Sequence, residues 1–189
     1  SKSNVTIEIR EISLKDRPNA LYKISAKGTV PVLQLTNNDI IDESLDIMVW
    51  AIDKDDDWMT TLIKQQLELI DSNDSQFKPW LDKYKYYDRF PENNREFYQE
   101  KCALFLSDCN DRLSAHSFLF GDSLVFADAA IFPFIRQCAH IDTEWFVERF
   151  PALNQWLSNW KESNLFLAVM NKYQEWKPNT TPEIVNFNN

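Results

Sequence analysis

The chain has 189 residues, 44% hydrophobic and 14% aromatic, enough to bury a sizeable core in one large domain or two small ones. A net charge of -9 lacks the basic clustering on which phosphate-backbone binding rests, so nucleic acid is not an expected partner. The only glycines, Gly28 and Gly121, exclude a Walker loop and a dinucleotide fingerprint. The two histidines, His116 and His140, have no second ligand at zinc spacing; they read as surface or helix-end residues, and no metal is expected.

Residues 5–12 (VTIEIREI) alternate Val5, Ile7 and Ile9 against Thr6, Glu8 and Arg10, which predicts a half-buried strand. Asp16 is placed to cap a short helix with Pro18 in its first turn, running through Ala20, Leu21 and Ile24. Residues 27–44 (KGTVPVLQLTNNDIIDES) predict a β-hairpin whose turn is Thr36-Asn37-Asn38-Asp39, followed by a helix from about Ser44 with Leu45, Met48, Val49 and Ile52 at helical spacing. The charged run 53–57 (DKDDD) reads as a solvated linker and a domain boundary, giving expected domains at 1–54 and 58–189.

Everything beyond it reads as helix. Residues 58–70 are amphipathic, a polar break holds Pro79, and Pro91 opens a long helix with Phe97, Cys102, Phe105, Leu106, Cys109 and Leu113 on one face. Residues 126–138 are apolar nearly all round, as a central buried helix requires, and shorter helices fit 144–149, 152–161 and 165–170 before a polar tail from Lys177. The cysteines Cys102, Cys109 and Cys138 lie within these apolar patterns and read as reduced core thiols. No apolar run approaches the roughly 20 residues of a bilayer crossing, and the opening residues lack signal-peptide character, so no membrane contact and a cytoplasmic location are expected.

Chemistry concentrates in the hairpin. Pro31 has no N–H for a ladder, so it belongs at a strand start, on an edge or in a cis turn. A cis Val30–Pro31 bond behind the permissive Gly28 leaves the Val30 N–H and C=O free to bind an extended peptide as a strand would. At the far end, the first-turn amides of the helix at Ser44, with the Ser44 hydroxyl, suit a carboxylate, and Glu43 suits an ammonium.

A peptide with an α-amino-acid end satisfies all of these groups, and glutathione is such a peptide. The segments KGTVPVLQL and IIDESLDIMVWA resemble the thioredoxin-like domain of the glutathione S-transferase superfamily, and FLFGDSLVFADAAIFPFIRQ resembles its helical C-terminal domain. The resemblance implies an α/β thioredoxin-like domain, here beginning at its second strand, followed by an all-α bundle, and it points to the bacterial and omega-like members. It implies that Val30, before a cis Pro31, holds the cysteinyl backbone of glutathione as co-substrate, and that Glu43 and Ser44 hold its γ-glutamyl end. Arg17, before Pro18, would meet the glycyl carboxylate.

Gly28 and Asp128 take structural roles. In GDSLVFAD the family's capping hydroxyl is replaced by Val125, so Asp128 keeps only the carboxylate half of a capping box. Trp58, Tyr84, Tyr87 and Phe90 are candidates for an electrophile pocket on the early helices. The resemblance also implies a homodimer acting on a small electrophile or mixed disulfide, with a non-catalytic binding or assembly module as the alternative. The family's first strand and helix, between which the sulfur-activating Tyr, Ser or Cys lies, have no counterpart before Val5. A preceding segment of about 20 to 25 residues is expected to supply them; a rearranged domain or a strand donated by a partner are the other readings.

Overall fold

The structure is a computed structural model that describes residues 5–52 and 56–186. It divides into two compact units, Ser1–Asp53 with Asn164–Asn189, and Lys54–Ser163.

The first unit holds β1 (Thr6–Ile9), α1 (Asn19–Ile24), β2 (Leu33–Gln34), β3 (Ile40–Ile41) and α2 (Ser44–Ala51). The expected hairpin forms, with Leu33 opposite Ile41 and Gln34 opposite Ile40. Its turn is closed by Leu35 N–H to Asp39 C=O at 2.9 Å, with Asn38 at φ 70°, a conformation Asn tolerates. Pro18, not Asp16, occupies the N-cap position of α1, since its fixed φ of -68° already sets the entry angle. The residues read as a polar tail contain a strand, Glu183–Asn186, which pairs antiparallel with β1 from Thr6↔Asn186 to Ile9↔Glu183. The tail thereby satisfies one edge of β1, and Trp176 N–H donates to Glu11 C=O at 2.7 Å just before it. The last segment therefore groups with the first unit.

The second unit is helical: α3 (Asp57–Thr60), α4 (Ile63–Ser72), α5 (Lys78–Lys85), α6 (Arg95–Ala115), α7 (Phe126–Ala139), α8 (Thr143–Arg149) and α9 (Pro151–Glu162), with α10 (Asn164–Val169) beyond it. Asp53 to Asp55 of the expected linker lie outside the described residues, and Asp56 caps α3 by accepting from Trp58 N–H at 2.8 Å. The helix expected over 58–70 is interrupted at Leu62, which sits at φ 49°. The buried Gln66 bridges that interruption, its Nε2 donating to the carbonyls of Trp58 and Thr61 while its Oε1 accepts from Ala127 N–H at 2.8 Å.

The polar break around Pro79 is no break. A π-helical turn, Asn73–Phe77, carries α4 into α5. The wider turn relieves the clash Pro79 would make with the carbonyl four residues back. Pro91 lies outside α6, which starts at Arg95 because Asn94 accepts from Phe97 N–H at 2.9 Å.

The core of this unit joins Phe77, stacked on Phe105 at 4.8 Å, to Cys102, Leu106 and Cys109 of α6 and Phe126, Ile131, Ile135 and Cys138 of α7. All three cysteines are buried and unpaired, and burial pushes the Cys109 thiol well up. His116 and His140 cap the C-terminal ends of α6 and α7. Among the described residues no helix is long and apolar enough to cross a membrane.

Candidate functional site

The expected site begins at a tight turn between α1 and β2. Gly28 is buried at φ +61°, and a Cβ there would run into the ring of Tyr22. Its N–H donates to Ser25 C=O at 3.1 Å, which closes the turn and sends the chain into Thr29 and Val30. The Val30–Pro31 bond is cis. Val30 is 46% exposed, and among the described residues neither its N–H nor its C=O has a hydrogen-bond partner.

Val30 and Pro31 form part of the wall of a cleft of about 1000 Å³ inside the first unit. Its lining is mostly apolar, with Ile7 and Ile9 of β1, Leu21 and Ile24 of α1, Leu33 of β2, Trp50 of α2 and Trp176 among its residues. The cleft also takes in Pro18, but Arg17, Glu43 and Ser44 are outside its lining. Arg17 is exposed and has no ion-pair partner among the described residues.

Glu43 is the N-cap residue of α2 and Ser44 its first residue, both exposed, with Ile47 N–H donating to Glu43 C=O at 3.0 Å. The Glu43 side chain does not cap the helix. It accepts from Lys27 Nζ at 2.6 Å, and the same ammonium lies 3.4 Å from Asp42 Oδ1. Asp42 is steadied from the other side by the hydroxyl of buried Ser25, donating to Oδ2 at 3.1 Å. The hydrogen bond to Glu43 raises the Lys27 pKa, with the Asp42 charge adding to it.

Of the residues expected to wall an electrophile pocket, Tyr84 is corrected by the structure. It is 0% exposed, accepts from Gln99 Nε2 at 2.7 Å, and has its hydroxyl pKa raised to about 12 by burial, so it packs the core. Trp58 is half-buried, Phe90 packs edge-on to Tyr98 at 6.5 Å, and Tyr87 is exposed under the Arg95 guanidinium.

Asp128 is fully buried and does what its position predicts. Its Oδ2 accepts from Val125 N–H at 3.1 Å, and its Oδ1 accepts from Leu119 N–H at 3.1 Å and the Trp156 indole at 3.0 Å. Burial nevertheless raises its pKa to about 6 against the lowering effect of these donors.

Sequence reasoning missed Lys27, Trp50 and Trp176. Lys27 stands directly before Gly28, so the turn itself was the available signal. Trp50 sits at the end of α2, and Trp176 leads into a stretch whose strand had no hydrophobic alternation to announce it.

Residues 2–57 match the family model for the glutathione S-transferase N-terminal domain, and residues 92–159 match that for the glutathione S-transferase C-terminal domain. The chain belongs to the glutathione S-transferase superfamily. Its fold is the family's, a small-sheet thioredoxin-like N-terminal part and a helical C-terminal part. No curated protein matches the sequence.

Solved glutathione S-transferases resemble it in fold. A transferase of Vibrio parahaemolyticus is 20% identical over 85% of this chain and 80% of its own, with a TM-score of 0.63. One from Phanerochaete chrysosporium, in complex with oxidized glutathione, is 21% identical over 77% of this chain and 73% of its own, with a TM-score of 0.66. One from Pseudomonas fluorescens is 19% identical over 78% and 77%, with a TM-score of 0.63.

Proposed function

We propose that this glutathione S-transferase family member binds glutathione along the turn from Gly28 to Pro31 and the N-terminal end of α2. The observation that carries the reading is Val30: a half-exposed residue on a cleft wall whose two main-chain polar groups have no partner among the described residues. The backbone groups of this half-exposed residue are free of partners among the described residues, so an extended peptide can add to them as a strand would. The cysteinyl residue of glutathione pairs there. Its γ-glutamyl carboxylate takes the Ser44 hydroxyl and the first-turn amides of α2, its α-ammonium takes Glu43, and Arg17 serves the glycyl carboxylate. The reading includes a homodimer and a domain boundary within 53–57.

Bound in this way, glutathione loses its thiol proton to solvent, and the thiolate either forms a C–S bond to a small electrophile as the leaving group departs with its electron pair, or attacks a mixed disulfide, forming a new S–S bond as the old one breaks and releases a thiolate. The second reading is a non-catalytic module that binds glutathione through the same groups without activating its thiol.

Retention on immobilised glutathione tests the site, and assays with an aryl halide and with a mixed disulfide test the chemistry. Retention with either activity supports the first reading, and retention with neither supports the second. Glu43→Ala is expected to weaken glutathione affinity about tenfold, the usual effect of losing one charge-assisted contact, while leaving the thermal midpoint in place. Unaltered affinity in that variant removes Glu43 from the site.

A further inference from the structure

The carboxylate of Glu43 already holds an ammonium group, that of Lys27, and this deepens the glutathione reading on which it rests. We propose that Lys27 is an exchangeable plug in the ammonium subsite, so that this residue sets how strongly the site discriminates for ligands carrying an α-amino group.

Three features support it. The shorter of the two Lys27 contacts is to Glu43, at 2.6 Å, so the carboxylate that would receive the ligand is the one Lys27 prefers. The second contact, 3.4 Å to Asp42, gives the lysine somewhere to retreat. Asp42 is held in place by Ser25, which is only 4% exposed, so this fallback partner does not move away when Lys27 shifts.

The turn closed at Gly28 fixes the Cα of Lys27, so exchange needs only rotation of its own side chain. Asp42 and Glu43 together carry one more charge than Lys27 neutralises, so an incoming ammonium enters a site of net negative charge. The Lys27 and Glu43 side chains are 54% and 63% exposed, and pairs in such surroundings are weak enough to exchange. An α-ammonium therefore binds by competition: it displaces Lys27 from Glu43, and Lys27 shifts to Asp42.

The test compares glutathione with its desamino analogue, glutaryl-cysteinyl-glycine, by calorimetric titration at low ionic strength of the full chain and of Lys27→Met. Removal of the competitor is expected to tighten glutathione about two- to fivefold, the scale of an exposed ion pair, with no tightening of the desamino ligand. Equal tightening of both ligands, unchanged glutathione affinity, or weaker binding of glutathione, as when Lys27 grips a ligand carboxylate, overturns the inference alone. No binding of glutathione by the unaltered chain overturns the functional reading and this inference with it. Circular dichroism of Lys27→Met verifies that the exposed substitution leaves the fold intact.

Discussion

Replacing Asp128 with Ala removes the acceptor of three buried donors: the N–H groups of Leu119 and Val125 and the Trp156 indole N–H. A buried donor left unsatisfied costs about 1–3 kcal/mol, or about 3–9 kcal/mol for the set. Against this stands relief from burying a charge. The Asp128 pKa moves from 3.8 to about 6, a shift equivalent to about 3 kcal/mol. The difference spans about 0–6 kcal/mol, and its midpoint, about 3 kcal/mol at pH 7, is the expected net loss for Asp128→Ala, measured by urea unfolding.

Asp128→Asn separates the two contributions. Its carbonyl can still accept from Leu119 and Trp156 at the Oδ1 position, leaving only Val125 N–H facing an amide, so a loss of about 1 kcal/mol or less is expected. The raised pKa means that the folded state takes up a proton near pH 6, before the unfolded chain does near 3.8. This contribution is fully present below the unfolded value and is lost as pH rises through about 6. The stability of the natural chain relative to Asp128→Asn is therefore expected to rise by about 1 kcal/mol between pH 7 and pH 5. An Asp128→Ala variant at least as stable as the natural chain, or a relative stability that falls on acidification, would refute the reasoning.

Gln66→Leu is expected to cost about 2 kcal/mol in the same assay, because it strands the Ala127 N–H and two carbonyls at the interruption between α3 and α4. Gly28→Ala is expected to cost about 1–2 kcal/mol for a Cβ at positive φ, and to lower glutathione retention by displacing the Val30 turn. Adding Tyr22→Ala removes the ring contact, so any recovery of the thermal midpoint in the double variant measures the steric part separately from the backbone part.

Much of the fold was legible because local rules and tertiary packing agree. The alternation in 5–12, the hairpin around Asn38 and the helix at Ser44 each carry their own signal, and the apolar run at 126–138 is the buried helix α7. The disagreements occur where a tertiary partner overrides a local cue. Pro79 reads as a stop, yet the π-helical turn lets the helix continue into a core that Phe77 and Phe105 hold together. Tyr84 reads as a candidate for a pocket wall, but its position on α5 turns it inward, where its hydroxyl accepts from Gln99 Nε2 at 2.7 Å.

The sequence by itself determined the two-part architecture, the turn at Gly28-Thr29-Val30-Pro31 and the capping role of Asp128, because each rests on backbone constraints or on contacts between near neighbours. Only the tertiary structure decided that Lys27 reaches Glu43 and Asp42, that residues 183–186 close the edge of β1, and that Trp176 joins the cleft wall. These are meetings of residues up to 180 positions apart, as between Thr6 and Asn186, and nothing in a local window encodes which distant edge or charge a segment will meet.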